Sequence, residues 1–196
     1  MSAAREKDCD VAIRITGLTN SFGDQIVHED LSLDVRHGEI LGVVGGSGTG
    51  KSVLMRSIIG LQRPDAGRIE VLGESILDGE EEDVSIRSRW GVLFQGGALF
   101  STLTVGENVE VPLRKYYPDL DPALRAEIAR YKVILTGLPE DAVSKFPSEL
   151  SGGMKKRAGL ARALSLDPRI LFYDEPSAGL DPVTSAEIDQ LIVNLS

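Results

Sequence analysis

The sequence predicts an α/β fold built around a phosphate-binding turn, on three observations. An apolar run from Ile40 to Val44 leads into Gly45-Gly46-Ser47-Gly48-Thr49-Gly50-Lys51-Ser52, which reads G-x-x-x-x-G-K-S, and a helical pattern follows from Val53 to Leu61. A second apolar run, Ile170 to Tyr173, lies between Pro168 and Pro176 and ends in Asp174-Glu175. Ahead of it, Leu150-Ser151-Gly152-Gly153 opens a third periodic stretch that continues through Leu166. Strand, glycine-rich turn and helix, in that order, is the setting in which the first motif is a P-loop that binds a nucleoside triphosphate.

Each element has a local reason. Val11 to Ile15 and Leu31 to Val35 alternate as half-buried strands do, the latter before a turn at His37-Gly38. They predict an antiparallel layer near the N-terminus, with the strand Ile40 to Val44 next. In the P-loop, glycines allow a tight turn that aims backbone N–H groups at phosphate oxygens. Lys51 adds a charge that reaches the β- and γ-phosphates, the Ser52 hydroxyl suits Mg2+, and the helix dipole favours the same anion. Asp121-Pro122 is an N-cap and N1 pair that opens a helix through about Leu135, which Gly137 can end. Ser151 is a plausible N-cap, and the glycines beside it admit an anion to a helix start.

The run Ile170 to Glu175 predicts a buried strand whose C-terminal carboxylates lie where ligands gather in parallel sheets. Asp174 is suited to hold Mg2+, largely through water, and Glu175 to polarise an attacking water. Asp181-Pro182 repeats the capping device for a final helix carrying Ile188, Leu191, Ile192 and Leu195.

This ordered set resembles the nucleotide-binding subunit of ATP-binding cassette (ABC) transporters over nearly the whole chain. Gly45 to Ser52 match that family's Walker A motif, Leu150 to Gly153 its LSGG signature, and Ile170 to Glu175 its Walker B strand with catalytic glutamate. Gln95 matches the Q-loop, Ser177 to Asp181 the D-loop, and Phe22 the aromatic residue that stacks on adenine. The resemblance implies a RecA-like P-loop NTPase core with an antiparallel β layer (1–95 and 167–196) and an inserted helical subdomain (96–166). It implies ATP and Mg2+ as ligands, with Glu175, Lys51 and Gln95 catalytic and Ser52, Gln95 and Asp174 around the metal. The nucleotide would lie between two copies, held by Phe22, Gly45, Gly46, Ser47, Gly48, Thr49, Gly50, Lys51, Ser52 and Val53 of one. Ser151, Gly152, Gly153 and Asp181 complete the expected nucleotide contacts, with Ser151 of one copy facing Lys51 of the other.

A finer resemblance lies between Phe94 and Arg114, in Phe94-Gln95-Gly96-Gly97-Ala98-Leu99-Phe100, Leu103-Thr104-Val105, Asn108-Val109 and Val111 to Arg114. With Pro147-Ser148-Glu149 and Met154, it is similar to the ATPase of bacterial Mla lipid-asymmetry systems. That implies phospholipid transport with an integral-membrane permease and a Mce-type lipid-binding protein, at the cytoplasmic face of the inner membrane. Leu99, Phe100 and Leu103 read equally as ordinary core or as a surface for the permease. Other cargoes, such as an amino acid or a lipoprotein, remain alternatives, as does a soluble ABC ATPase acting on nucleic acid or ribosomes.

Composition narrows these choices. A chain of 196 residues is one domain's worth and buries ~70% of its unfolded surface. No apolar run approaches the ~18 residues of a membrane span, and the first ten residues are too polar for a signal peptide. Cys9 is the single cysteine, so an internal disulfide is excluded and a reducing compartment is expected, with a mobile, unremarkable thiol. The net charge of −9 argues against nucleic acid as partner. Lys155-Lys156-Arg157, the one compact basic cluster, reads either as a solvated helix face or as a source of positive potential near the nucleotide. The acidic run Glu80 to Asp83 reads as a solvated loop.

One departure from the family stands out. Its members carry a switch histidine after the D-loop helix, on a further core strand, whereas both histidines here, His28 and His37, precede the P-loop. The expectation is therefore a C-terminally incomplete cassette, or a strand supplied by another chain, with a gap beside the P-loop strand. A binding-only fragment is a corresponding alternative to a working ATPase.

Overall fold

The computed structural model describes residues 10–77 and 84–195; Cys9, the run Glu80 to Asp83 and Ser196 lie outside them. The chain divides into two compact units that part between Asp83 and Val84.

The first unit is built on an antiparallel sheet of β1 (Val11–Phe22), β2 (Gln25–Arg36), β3 (Ala66–Val71) and β4 (Glu74–Ser75), in the order β2-β1-β3-β4. The expected antiparallel layer is present, and its strands run well beyond the alternating segments that predicted it. Ile13 faces Val35 and Ile15 faces Leu33 on one side of β1, with Val71 and Ile69 opposite the same two residues on the other. Ile15, Leu18, Ile69 and Val71 are fully buried. Helix α1 (Lys51–Ile58) starts within the glycine-rich motif and buries Leu54, Met55 and Ile58.

Ile40 to Val44 do not form the predicted strand. They pair into neither sheet and are exposed throughout, Val44 by 93%. Apolar character fixes what a segment would bury, but a strand also needs a neighbour for its ladder bonds. Among the described residues no segment pairs with this one.

The second unit holds α2 (Val84–Arg87), β5 (Trp90–Leu93), α3 (Val105–Tyr116), α4 (Pro122–Leu135), α5 (Gly152–Ala163), β6 (Ile170–Tyr173) and α6 (Pro182–Asn194). Helix α4 has the predicted limits. The Asp121 carboxylate accepts from the N–H groups of Ala123 (2.9 Å) and Leu124 (3.1 Å), and Gly137 just beyond it has φ of 75°. Helix α5 is the hub. Its Ala158 and Ala161 join Val105, Val109, Ala129 and Val133 in one apolar core, while Leu160 and Leu164 pack with Leu93 in another.

Strands β5 and β6 pair in parallel, Trp90 with Ile170 through Leu93 with Tyr173. The strand β6 is half-buried along its length, not the buried strand predicted, because β5 is its single partner among the described residues. In α6 only Ile188 of the four apolar positions singled out is fully buried; Leu191, with Leu195 just after the helix, packs partly against the Leu93–Leu160–Leu164 core.

Candidate functional site

The glycine-rich turn closes on itself. Lys51, the first residue of α1, donates from Nζ to the carbonyls of Gly45 (2.8 Å) and Gly46 (2.7 Å), and Thr49 Oγ1 donates to the Gly46 carbonyl (2.9 Å). Ser47 and Gly48 form the exposed crest between them, and Ser52 and Val53 follow half-buried in the first turn of α1. Gly50 cannot be another residue: its φ is 93°, and a Cβ there would stand 2.5 Å from Val27 Cγ1 and 2.7 Å from His28 Nε2. Phe22, at the end of β1, leaves its ring 53% exposed.

His28 was not singled out as a site residue, yet it supports this turn from below. It is buried, and burial lowers its pKa from 6.5. Ser57 Oγ donates to Asn20 Oδ1 (3.4 Å), which turns the Asn20 amide nitrogen toward His28 Nδ1 (3.2 Å). In that arrangement Nδ1 accepts and the ring proton sits on Nε2, the atom facing Gly50.

In the second unit, the parallel register of β5 and β6 decides which side chains meet. Leu93 and Tyr173 are paired, so the residues that follow leave the two strands side by side. The Asp174 N–H donates to the Leu93 carbonyl at 2.9 Å, and Gln95 Nε2 donates to Glu175 Oε2 at 3.1 Å. Glu175 has φ of 48°, an uncommon and strained value for a non-glycine residue. Its N–H and carbonyl therefore point where an ordinary strand would not send them. Tyr173 is held as the neutral phenol, burial pushing its pKa up to about 12.

Helix α5 begins at Ser151, whose hydroxyl accepts from the Met154 N–H (3.3 Å), as an N-cap does. Ser151 and Gly152 are exposed at this helix start. Gly153 is buried, and a Cβ on it would stand 2.5 Å from Thr184 Cγ2 in the first turn of α6. Asp181 caps α6, accepting from Val183 and Thr184 N–H groups at 3.1 Å each; hydrogen bonds with Thr184 hold its carboxyl below the usual 3.8.

The basic cluster is not the solvated face that one reading expects. Lys156 is buried, and its Nζ donates to the carbonyls of Ala178 (2.7 Å) and Glu175 (3.2 Å). Arg157 donates to the Thr136 carbonyl and to Glu187, both at 2.9 Å. Further along α5, Arg162 donates to the carbonyls of Ala98 (2.6 Å) and Gly97 (2.8 Å), directly after Gln95 and Gly96. Burial lowers its pKa. Neither Lys156 nor Arg162 stood out as a site residue. The signal was a long cation within a helix made mostly of small apolar residues. Leu99 packs against the helical core, Leu103 is half-buried and Phe100 is 53% exposed, so that trio is part core and part surface.

Among the described residues, no three His, Cys, Asp or Glu side chains gather as a metal cage. The donors expected for Mg2+ are a hydroxyl in the first unit (Ser52) and an amide and a carboxylate in the second (Gln95 and Asp174), oxygen groups of the kind that ion takes. No helix among the described residues is long and apolar enough to cross a membrane.

Comparison with known proteins agrees with this architecture. The ABC transporter family model matches residues 28–178. A probable ribonucleotide transport ATP-binding protein, mkl, of Mycobacterium leprae is 47% identical over 187 residues, covering 95% of this chain and 53% of that protein. The intermembrane phospholipid transport system ATP-binding protein MlaF of Haemophilus influenzae is 39% identical, covering 94% and 69%. This chain thus spans about half the length of the first relative. Among solved structures, the dimeric post-hydrolysis state of the ATP-binding cassette MJ0796, bound to ADP and Pi, superposes with a TM-score of 0.84 at 30% identity, covering 93% of this chain and 82% of that one. With a family match across most of its length and a cassette of the same fold at this identity, the chain belongs to the ABC transporter family as an ATP-binding domain.

Proposed function

We propose that this chain is the ATP-binding and ATP-hydrolysing subunit of a transporter that moves phospholipid between membranes. It would work as two copies beneath an integral-membrane permease, with a Mce-type lipid-binding protein, at the cytoplasmic face of the inner membrane. The observation that carries the enzymatic part is the hydrogen bond from Gln95 to Glu175, which brings an amide and a carboxylate together at the open end of β5 and β6. For cargo, the support is the similarity to MlaF and the stretch between Phe94 and Arg114.

In this reading residues 1–95 and 167–196 make the nucleotide core and 96–166 the helical subdomain. The P-loop from Gly45 to Ser52 holds the triphosphate, with Lys51 exchanging its carbonyl partners for β- and γ-phosphate oxygens. Phe22 offers its exposed ring to the base. Glu175 accepts a hydrogen bond from water and directs its oxygen at the γ-phosphorus, while Gln95 keeps the carboxylate aimed. The new P–O bond forms as the β–γ bridge breaks, leaving ADP and inorganic phosphate. Ser151 and the start of α5 supply N–H groups to the triphosphate of the second copy. Mg2+, held by Ser52, Gln95 and Asp174, would supply neutralising charge to the phosphates.

Steady-state ATP hydrolysis tests the enzymatic part. Lys51→Ala should abolish tight ATP binding, whereas Glu175→Gln should bind ATP and stop turnover; equal ATP affinity in parent and Lys51→Ala overturns the P-loop assignment. For cargo, the protein purified with its permease should show hydrolysis stimulated by phospholipid. Stimulation by ribonucleotides alone would favour the cargo named for mkl instead.

A further inference from the structure

We propose that Lys156 is a positioning residue for hydrolysis, a clamp that fixes the backbone turn carrying Glu175 to the helix that begins at Ser151. The inference rests on the reading of Glu175 as the residue that directs the water.

Four observations in the second unit support it. The turn after β6 closes with the Ala178 N–H on the Glu175 carbonyl at 3.1 Å, so these two residues form its ends. Lys156 Nζ donates to the carbonyl at each end, 3.2 Å to Glu175 and 2.7 Å to Ala178. Glu175 holds a φ of 48°, which persists only where its surroundings over-determine it. Lys156 itself is 5% exposed, in a helix that contributes side chains to two apolar cores.

A buried ammonium is costly, and burial lowers the pKa of Lys156, opposed in part by the Glu175 carboxylate. A methionine of similar length would fill the space without that cost, so the ammonium contributes through the carbonyls it reaches. Two anchors on one rigid turn fix its orientation, and with it the direction of the Glu175 side chain. Gln95 then needs only to hold the carboxylate tip. The Asp174 N–H on Leu93 secures the strand side of the same turn.

The connection also has a direction. Lys156 lies about one and a half helical turns beyond Ser151, the N-cap of α5, so its side chain ties that helix start directly to the Glu175 turn. A lysine buried merely to pack would carry no such link.

The test is steady-state ATP hydrolysis and ATP affinity of the full-length protein beside Lys156→Met, Lys156→Gln and Glu175→Gln. Lys156→Met should lose about ten- to a hundredfold in kcat while KM and ATP affinity change less than about twofold, because the water-directing carboxylate is misplaced but the P-loop is untouched. Unchanged kcat, or a loss expressed as raised KM, overturns the proposal. Lys156→Gln, smaller and able to reach one carbonyl, should show a lesser kcat loss at the same KM. If the Met variant fails to fold, an unchanged kcat in Lys156→Gln is the overturning result. Glu175→Gln separates the two claims. If it stops turnover and Lys156→Met does not slow it, the clamp is wrong and the water-directing role stands. If Glu175→Gln turns over normally, that role and the clamp fall together.

Discussion

Asn108 bonds both backbone groups of Phe100: its Oδ1 accepts from the Phe100 N–H at 2.8 Å and its Nδ2 donates to the Phe100 carbonyl at 3.1 Å. The same Nδ2 reaches the carbonyls of Leu103 (3.1 Å) and Thr104 (2.9 Å), and Asn108 is fully buried. One amide thus shapes the loop that presents the Phe100 ring to solvent. Asn108→Leu would leave an N–H and several carbonyls without this partner, and should cost about 3 kcal/mol of stability in urea unfolding. A loss under ~0.5 kcal/mol would mean water replaces the amide freely.

Gly153 and Thr184 exclude each other's larger forms. Gly153→Ala places a methyl 2.5 Å from Thr184 Cγ2, and should destabilise by about 1–3 kcal/mol. Adding Thr184→Ser removes that methyl and should recover most of the loss. ATP turnover in the double variant is the second readout: if stability returns and turnover does not, Gly153 matters to more than its packing against Thr184.

Arg162 secures the loop after Gln95 as Lys156 secures the turn after Asp174. Arg162→Met removes two hydrogen bonds to the Gly97 and Ala98 carbonyls and should lower stability by about 2 kcal/mol. Hydrogen exchange should rise at the amides from Gln95 to Ala98 and stay unchanged in α4. Equal exchange in both places would show that the arginine stiffens the unit rather than the loop.

His28 predicts a specific acid sensitivity. Its folded pKa lies below 6.5 because burial disfavours the imidazolium, so between the two pKa values the unfolded chain binds more protons. Its contribution is fully present above 6.5 and is lost as pH falls through that value toward the folded pKa. Protonated Nδ1 would also confront the Asn20 amide with a second donor. Urea midpoints about one unit either side of 6.5 should differ more in the parent than in His28→Gln, which keeps an acceptor and does not titrate. Parallel profiles would remove His28 as the source.

What the sequence made legible was local. Asp121-Pro122 and Asp181-Pro182 cap helices where they were expected to, and Ser151 does so at α5, because a cap is settled within a few residues. Ile40 to Val44 had the composition of a strand, but a ladder partner is a non-local fact that composition does not carry. The contacts of Lys156 and Arg162 were hidden for a related reason. Their acceptors are backbone carbonyls, 19 and 22 positions away for Lys156 and 64 and 65 for Arg162, and a carbonyl has no residue type. The meeting of Gln95 with Glu175, 80 positions apart, follows from strand register, which the two motifs alone leave open.

The segment from Ile40 to Val44, without a strand partner among the described residues, has a consequence for the colloidal behaviour of this chain. Four exposed apolar side chains around Gly42, on a backbone that pairs with no strand among the described residues, are a template for self-association, since a second copy can offer a ladder. A net charge of −9 keeps copies apart at low ionic strength, but salt shortens that repulsion to ~10 Å at about 0.1 M. Solutions of the isolated chain should therefore stay clear in dilute buffer and scatter light as salt is added, the reverse of ordinary salting-in.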